Sequence, residues 1–231
     1  MNYYKVANPF HPSIVIDTNI VNYSSTLDNW EYYSPLINLI IRSSAALHLP
    51  LNFYVFFYNQ LAYWGDAYLQ CLPASDHGHF HLSDLLTTRF ERDPVISEKN
   101  LIEIVESFNQ IGYSPFMEFH YIWELLFEQV RQESYPRKPS RRDCYFLFGS
   151  VEDCLYYKEQ HHIEGDVRQV KLLETRSLLA ADMRIFDDLA PDATTHLAIA
   201  QAERYWSGER SDRPIIEYLF QGKCTLESGS F

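Results

Sequence analysis

Short strand-like runs stand at both ends of the chain, and helical periodicity fills its middle. Tyr3-Tyr4-Lys5-Val6 reads as a short strand and Asn8 to Pro12 as a turn. Ser13 to Val21 reads as a second short strand whose apolar run ends at Asp17. Leu36 to Leu47 and Phe53 to Leu72 read as helices separated by Leu49-Pro50. The second is aromatic nearly all round, which predicts burial on most sides. Pro73 to His81 reads as a loop, and Ser83 as the cap of a helix reaching about Phe90. Ser97-Glu98 opens a helix with Leu101, Ile104, Val105, Phe108 and Ile111 on one face. Ser114-Pro115 starts another, which carries Phe116, Phe119, Trp123, Leu126, Phe127 and Val130 inward and stops before Pro136.

Residues 140–157 organise the rest. Cys144 to Phe148 is an unbroken apolar run rich in aromatics, the pattern of a strand buried on both faces. Gly149 supplies a turn, Ser150 is a good helix N-cap, and Glu152 and Asp153 put negative charge in the first helical turn, where the dipole favours it. Such a unit can hold Tyr145 and the helix tyrosines, Tyr156 and Tyr157, as facing walls of a slot. Beyond it, His161 to Asp166 reads as a polar turn and Val167 to Leu173 as a strand with one wet face. Ala181 to Met183 and Asp187-Asp188 read as a short helix or turn. A helix follows from Pro191 through Trp206 and stops at Gly208. Ile215 to Phe220, a turn at Gln221-Gly222, and Lys223 to Glu227 predict a terminal hairpin. With no Gly- or Ser-rich linker and no internal repeat, the pattern predicts one α+β domain over 1–231, with a helical layer inserted at about 36–134.

Composition narrows the function classes. The net charge of −12 argues against nonspecific nucleic-acid binding, which needs a basic face. Arg137, Lys138, Arg141 and Arg142 form one dense cationic cluster, suited to a solvated loop or to a phosphate. The four cysteines have no ligand spacing, and no signal peptide or membrane-spanning run is visible. A cytoplasmic protein is expected, compatible with delivery into a host cell. His77, His79 and His81 alternate without an acidic or thiol partner at helical spacing, which fits a solvated loop. The strand end Asp17-Thr18-Asn19 resembles the opening of PIN-type nucleases, where the aspartate ligates a divalent metal. That chemistry needs several converging carboxylates. Asp66, Asp84 and Asp93 lack the matching strand-end context, so no metal site is expected.

Tyr145-Phe146, then Ser150, then Tyr156 resembles the central motif of ADP-ribosyltransferases of the His–Tyr–Glu type. The two tyrosines stand eleven residues apart, the spacing of that motif. The lead-in Pro139-Ser140-Arg141 is similar to an uncharacterised bacterial branch. The resemblance covers about residues 1–20 and 139–227. It implies a split β-sheet core in which Tyr145 and Tyr156, with Tyr157 adjoining, grip the nicotinamide of NAD. Ser140 and Arg141 would lie on the cofactor, Arg141 at its pyrophosphate. Glu217, a lone carboxylate in the apolar run Ile215 to Phe220, corresponds to the family's late glutamate. Cleaving the N-glycosidic bond builds positive charge on the ribose, which a fixed carboxylate stabilises. Ile215 stands where arginine-modifying toxins carry a second glutamate. The family's first strand presents His or Arg after a tyrosine. This chain has Tyr4-Lys5 there, with His11 in the adjoining turn as a substitute.

The implied activity is NAD-dependent transfer of ADP-ribose to a macromolecular acceptor, with release of nicotinamide, in a toxin or effector. Glu217 and Tyr145 would be catalytic, and Tyr4, Lys5, Ser140, Arg141, Tyr156 and Tyr157 would bind NAD. The altered first motif supports an alternative, a catalytically inactive nucleotide- or protein-binding module of the same fold. A PIN-like nuclease built on Asp17 is a third reading.

Overall fold

A computed structural model of the chain describes residues 2–7, 15–21, 30–73, 75–86, 93–113, 120–190 and 192–227. The expected turn at Asn8 to Pro12, His11, the start Ser114-Pro115 and the inward residues Phe116 and Phe119 lie outside them. In chain order the elements begin with β1 (Tyr3–Ala7), β2 (Val15–Asp17), α1 (Trp30–Leu47), α2 (Leu51–Trp64), α3 (Asp66–Gln70) and β3 (His79–His81). Next come α4 (Leu82–Leu85), β4 (Val95–Ser97), α5 (Glu98–Ile111), α6 (His120–Ser134), β5 (Tyr145–Phe148) and α7 (Val151–Gln160). The last are β6 (Asp166–Asp182), α8 (Met183–Asp187), α9 (Thr195–Ser207) and β7 (Ile216–Leu226). The protein is thus α+β. Among the described residues no helix is long and apolar enough to cross a membrane.

The chain forms two compact units, one of residues 29–126 and 189–200, the other of 1–28, 127–188 and 201–231. The helical unit therefore takes in a second segment beyond the single insertion expected at about 36–134. Its core comes from the apolar faces of α1 (Leu36, Ile37, Ile40), α2 (Phe53, Phe57, Tyr58) and α5 (Leu101, Ile104, Phe108). Ser97 caps α5 as the sequence predicts, its hydroxyl accepting from Asn100 N. Three expectations change here. The long helix over Phe53 to Leu72 breaks at Gly65, whose φ of +52° interrupts the spiral between α2 and α3. The tail of the expected histidine loop is β3, because Phe80 turns inward between exposed His79 and His81 and pairs with Ile96 of β4. Ser83 is not a cap: it lies inside α4, and its amide and hydroxyl both donate to Asp93.

In the other unit, β7, β5, β1 and β6 form a ring of paired strands, since β6 pairs with both β1 and β7, and β2 adds outside β7. All these pairings are antiparallel. The β1–β5 junction is narrow, with Tyr4 opposite Phe148 as its one registered pair. One face of the ring packs Tyr145, Leu147, Val170, Tyr218, Phe220 and Cys224 together. The other packs Val6, Phe148 and Val167 against Cys154 of α7.

Two strand expectations are corrected. Residues 216–226 are one continuous strand, not a hairpin with a turn at Gln221-Gly222. Gly222 sits where β7 passes so close to β6 that a Cβ would lie 2.1 Å from the Glu174 carbonyl oxygen. Its glycine serves a close approach and not a reversal. β6 runs to Asp182 instead of ending at Leu173. Bulges between Leu172 and Glu174 and between Thr175 and Ser177 shift its register, so the two-residue period breaks off in the sequence although the strand continues.

Candidate functional site

The strand–turn–helix unit forms as read from the sequence. The Ser150 hydroxyl accepts from Asp153 N at 3.0 Å, fixing the first turn of α7 directly after β5. Ser150→Ala is expected to lower stability by about 1 kcal/mol in chemical denaturation, the usual loss for a helix cap.

Register decides where the expected site residues go. Phe148 lies opposite Glu217, and Tyr145 opposite Phe220. Side chains alternate along a strand, so Glu217 leaves the sheet on the face of Phe146 and Phe148. Tyr145 leaves on the opposite face, with Leu147, Tyr218 and Phe220. The structure does not gather Tyr145, Tyr156 and Glu217 around one point.

Glu217 is instead part of a buried polar knot. It is 2% exposed, and Arg141 is 8% exposed. Arg141 Nη1 donates to Glu217 Oε1 and to the Tyr205 hydroxyl, both at 2.5 Å. The Tyr205 hydroxyl in turn donates to Glu217 Oε1 at 2.7 Å. The rings of Phe146, Phe186 and Tyr205 surround the guanidinium, at 4.8, 4.9 and 5.2 Å from Cζ to their centroids. Expected as a phosphate ligand, Arg141 serves an internal carboxylate. Ser140 is likewise engaged: its hydroxyl accepts from Arg142 N, capping the one-turn helix Arg141–Asp143, and donates to Glu128 Oε2. Glu128 also accepts from two of the three Arg131 nitrogens, Nε and Nη2, so the cationic stretch is anchored by a buried carboxylate.

The tyrosines separate by one position. Tyr156 stacks against the Arg184 guanidinium at 4.9 Å, and burial raises its pKa. Tyr157 faces Phe148 and His161, at centroid distances of 5.1 and 4.8 Å. Tyr145 and Tyr157 are the two rings that share a neighbour, the Lys5 ammonium. Nζ lies 5.0 Å from the Tyr145 centroid and 5.8 Å from that of Tyr157. Tyr4, next along β1, packs on the Phe148 side. Loss of water pulls the Lys5 pKa down to about 8. Cys154 and Glu217 act in the opposite direction but do not restore it. The neighbouring Cys154 thiol is pushed up to about 12 by burial and stays protonated, as do Cys144 and Cys224.

Sequence reasoning missed Tyr205 and Asp182. Asp182, fully buried at the end of β6, accepts from Arg184 N and Ile215 N on one oxygen and from Ser211 N and Oγ on the other. It pins the start of β7 beside the end of β6. Asp17 is engaged by neighbouring groups of the chain. One of its oxygens accepts from the Asn19 backbone and side chain, and the other lies 4.0 Å from Lys223 Nζ. Among the described residues no three His, Cys, Asp or Glu side chains are placed to hold a metal ion.

Fold and site together define an α+β protein whose strand ring carries a lysine framed by two tyrosines, beside a sealed Arg–Glu–Tyr knot. The chain belongs to a protein family of unknown function, DUF2441, whose model matches residues 73–228. No curated protein matches it.

Proposed function

We propose that this chain is a nucleotide-binding module with an ADP-ribosyltransferase-like core, which takes NAD without cleaving it. Lys5 would meet the diphosphate as an ammonium, and the Tyr145 and Tyr157 rings would offer faces to a base. The observation that carries the reading is the Lys5 ammonium close to both of those rings, with Glu217, whose charge also reaches Lys5, tied up by Arg141. Breaking the bond to nicotinamide puts positive charge on the ribose. A fixed cation nearby raises the energy of that state, and a carboxylate already neutralised by a guanidinium does little to lower it.

Calorimetry with NAD is expected to register binding, while chromatography of the same mixture finds no nicotinamide after long incubation. Lys5→Met should weaken binding about ten- to hundredfold, the worth of one charge-assisted hydrogen bond. Binding of an anion favours the protonated amine. Affinity should therefore hold below pH 8 and weaken toward about tenfold per unit above it. An affinity unchanged from pH 7 to 9.5 would remove Lys5 from the site.

A second reading, an active transferase using Glu217, is favoured by the strand–turn–helix unit with its Tyr145 and Tyr156 spacing and Ser150 cap. It requires Arg141 to release Glu217. Nicotinamide release that Glu217→Gln abolishes would select it, and mass spectrometry of a lysate incubated with labelled NAD would identify the acceptor.

A further inference from the structure

Lys5 has an environment suited to covalent chemistry as well as to charge. Its side chain is partly buried in β1, and its Nζ makes no hydrogen bond or ion pair with any described residue. The faces of two aromatic rings from two different elements, β5 and α7, lie against it, and the charge of Glu217 reaches it without an ion pair. An amine held this way, by rings and not by a carboxylate, can lose its proton without breaking an ion pair. The cysteine beside it is no rival nucleophile, because burial keeps its thiol protonated.

We propose that Lys5 is a reactive amine that condenses with aldehydes, such as the open-chain form of a sugar, to give an imine. The Nζ lone pair attacks the carbonyl carbon and forms the C–N bond, and the carbonyl oxygen takes up a proton. The resulting carbinolamine loses that oxygen as water while nitrogen releases its remaining proton and forms the C=N bond. No oxidant or reductant is needed. The step requires the neutral amine, and the pKa near 8 leaves about 300-fold more of it at pH 7 than an ordinary lysine has. The two ring faces favour the ammonium and offset part of the loss of water without cancelling it.

The proposal rests on the surroundings of Lys5 alone and stands whether or not a dinucleotide binds. The full chain is incubated at pH 7 with glyceraldehyde, a probe that needs no nucleotide subsite, and cyanoborohydride reduces any imine to a stable amine. Peptide mass spectrometry then compares Lys5 with exposed Lys99 and Lys171 in the same molecules, using fragment ions that separate Lys5 from the chain's amino terminus. Modification at Lys5 at least about tenfold faster than at the exposed lysines is expected. That fast site should vanish in Lys5→Arg. Equal or slower reaction at Lys5 would overturn the proposal, and it would leave the calorimetric test of NAD binding untouched.

Discussion

Replacing Glu217 with alanine should lower the free energy of unfolding by about 3–5 kcal/mol, because it leaves Arg141 charged and unpaired in a dry place. Three aromatic rings close around that guanidinium, so water cannot readily take over from the lost carboxylate. The Tyr205 hydroxyl would lose its acceptor in the same step. Arg141→Met should cost a similar amount by stranding the carboxylate. The double variant Arg141→Met with Glu217→Leu should recover most of the loss, since well-packed apolar groups often replace a buried ion pair at little cost. Urea denaturation of the two single variants and the double variant gives the coupling directly. Single losses below about 1 kcal/mol, the range of exposed pairs, would mean that the knot is open to solvent.

Gly222→Ala is expected to be about as damaging, at about 3–4 kcal/mol, for a wholly steric reason. The new methyl would meet the Glu174 carbonyl oxygen at 2.1 Å and its carbon at 3.0 Å, and these are backbone atoms that cannot swing aside. The φ of +146° adds strain for any residue with a Cβ. Relief requires β6 and β7 to separate around Thr175 and Gly222, where bulges already thin the pairing. Thermal and urea unfolding would both register the change. A variant as stable as the parent would show that the two strands can part there at no cost.

These two positions also mark what could be read from the sequence. Local chemistry was legible. The apolar run into Gly149, the Ser150 hydroxyl and the acidic first turn of α7 act within a few residues of each other, and β5 and α7 stand where they predict. The same holds for Ser97 and α5. Gly222 misled because a glycine after glutamine looks like a turn, whereas its cause is a carbonyl 48 residues earlier in the chain. Glu217 could have been paired in advance. A lone glutamate among Ile, Tyr, Leu and Phe calls for a cation, and the densest cationic cluster began at Arg137. What the pattern could not supply was the parity of β5 against β7, on which the face of Glu217 depends. Which of the two helix tyrosines reaches Lys5 was not legible for a related reason. The 3.6-residue period leaves Tyr156 and Tyr157 about a quarter-turn apart, and only the packing of α7 on Phe148 selects which ring comes to Lys5.

The ring of strands has a consequence for how the chain is made. β2 finds its partner about two hundred residues downstream, with Ile16 opposite Cys224, and β1 pairs across Tyr3 and Val170. On a ribosome, the first two strands emerge long before β6 and β7 exist to receive them. Loop closure over such spans is slow, and unsatisfied strand backbone invites association with other nascent chains. Synthesis therefore leaves a long interval in which β1 and β2 wait for their partner strands. Any truncation before residue 216 makes that interval permanent for β2.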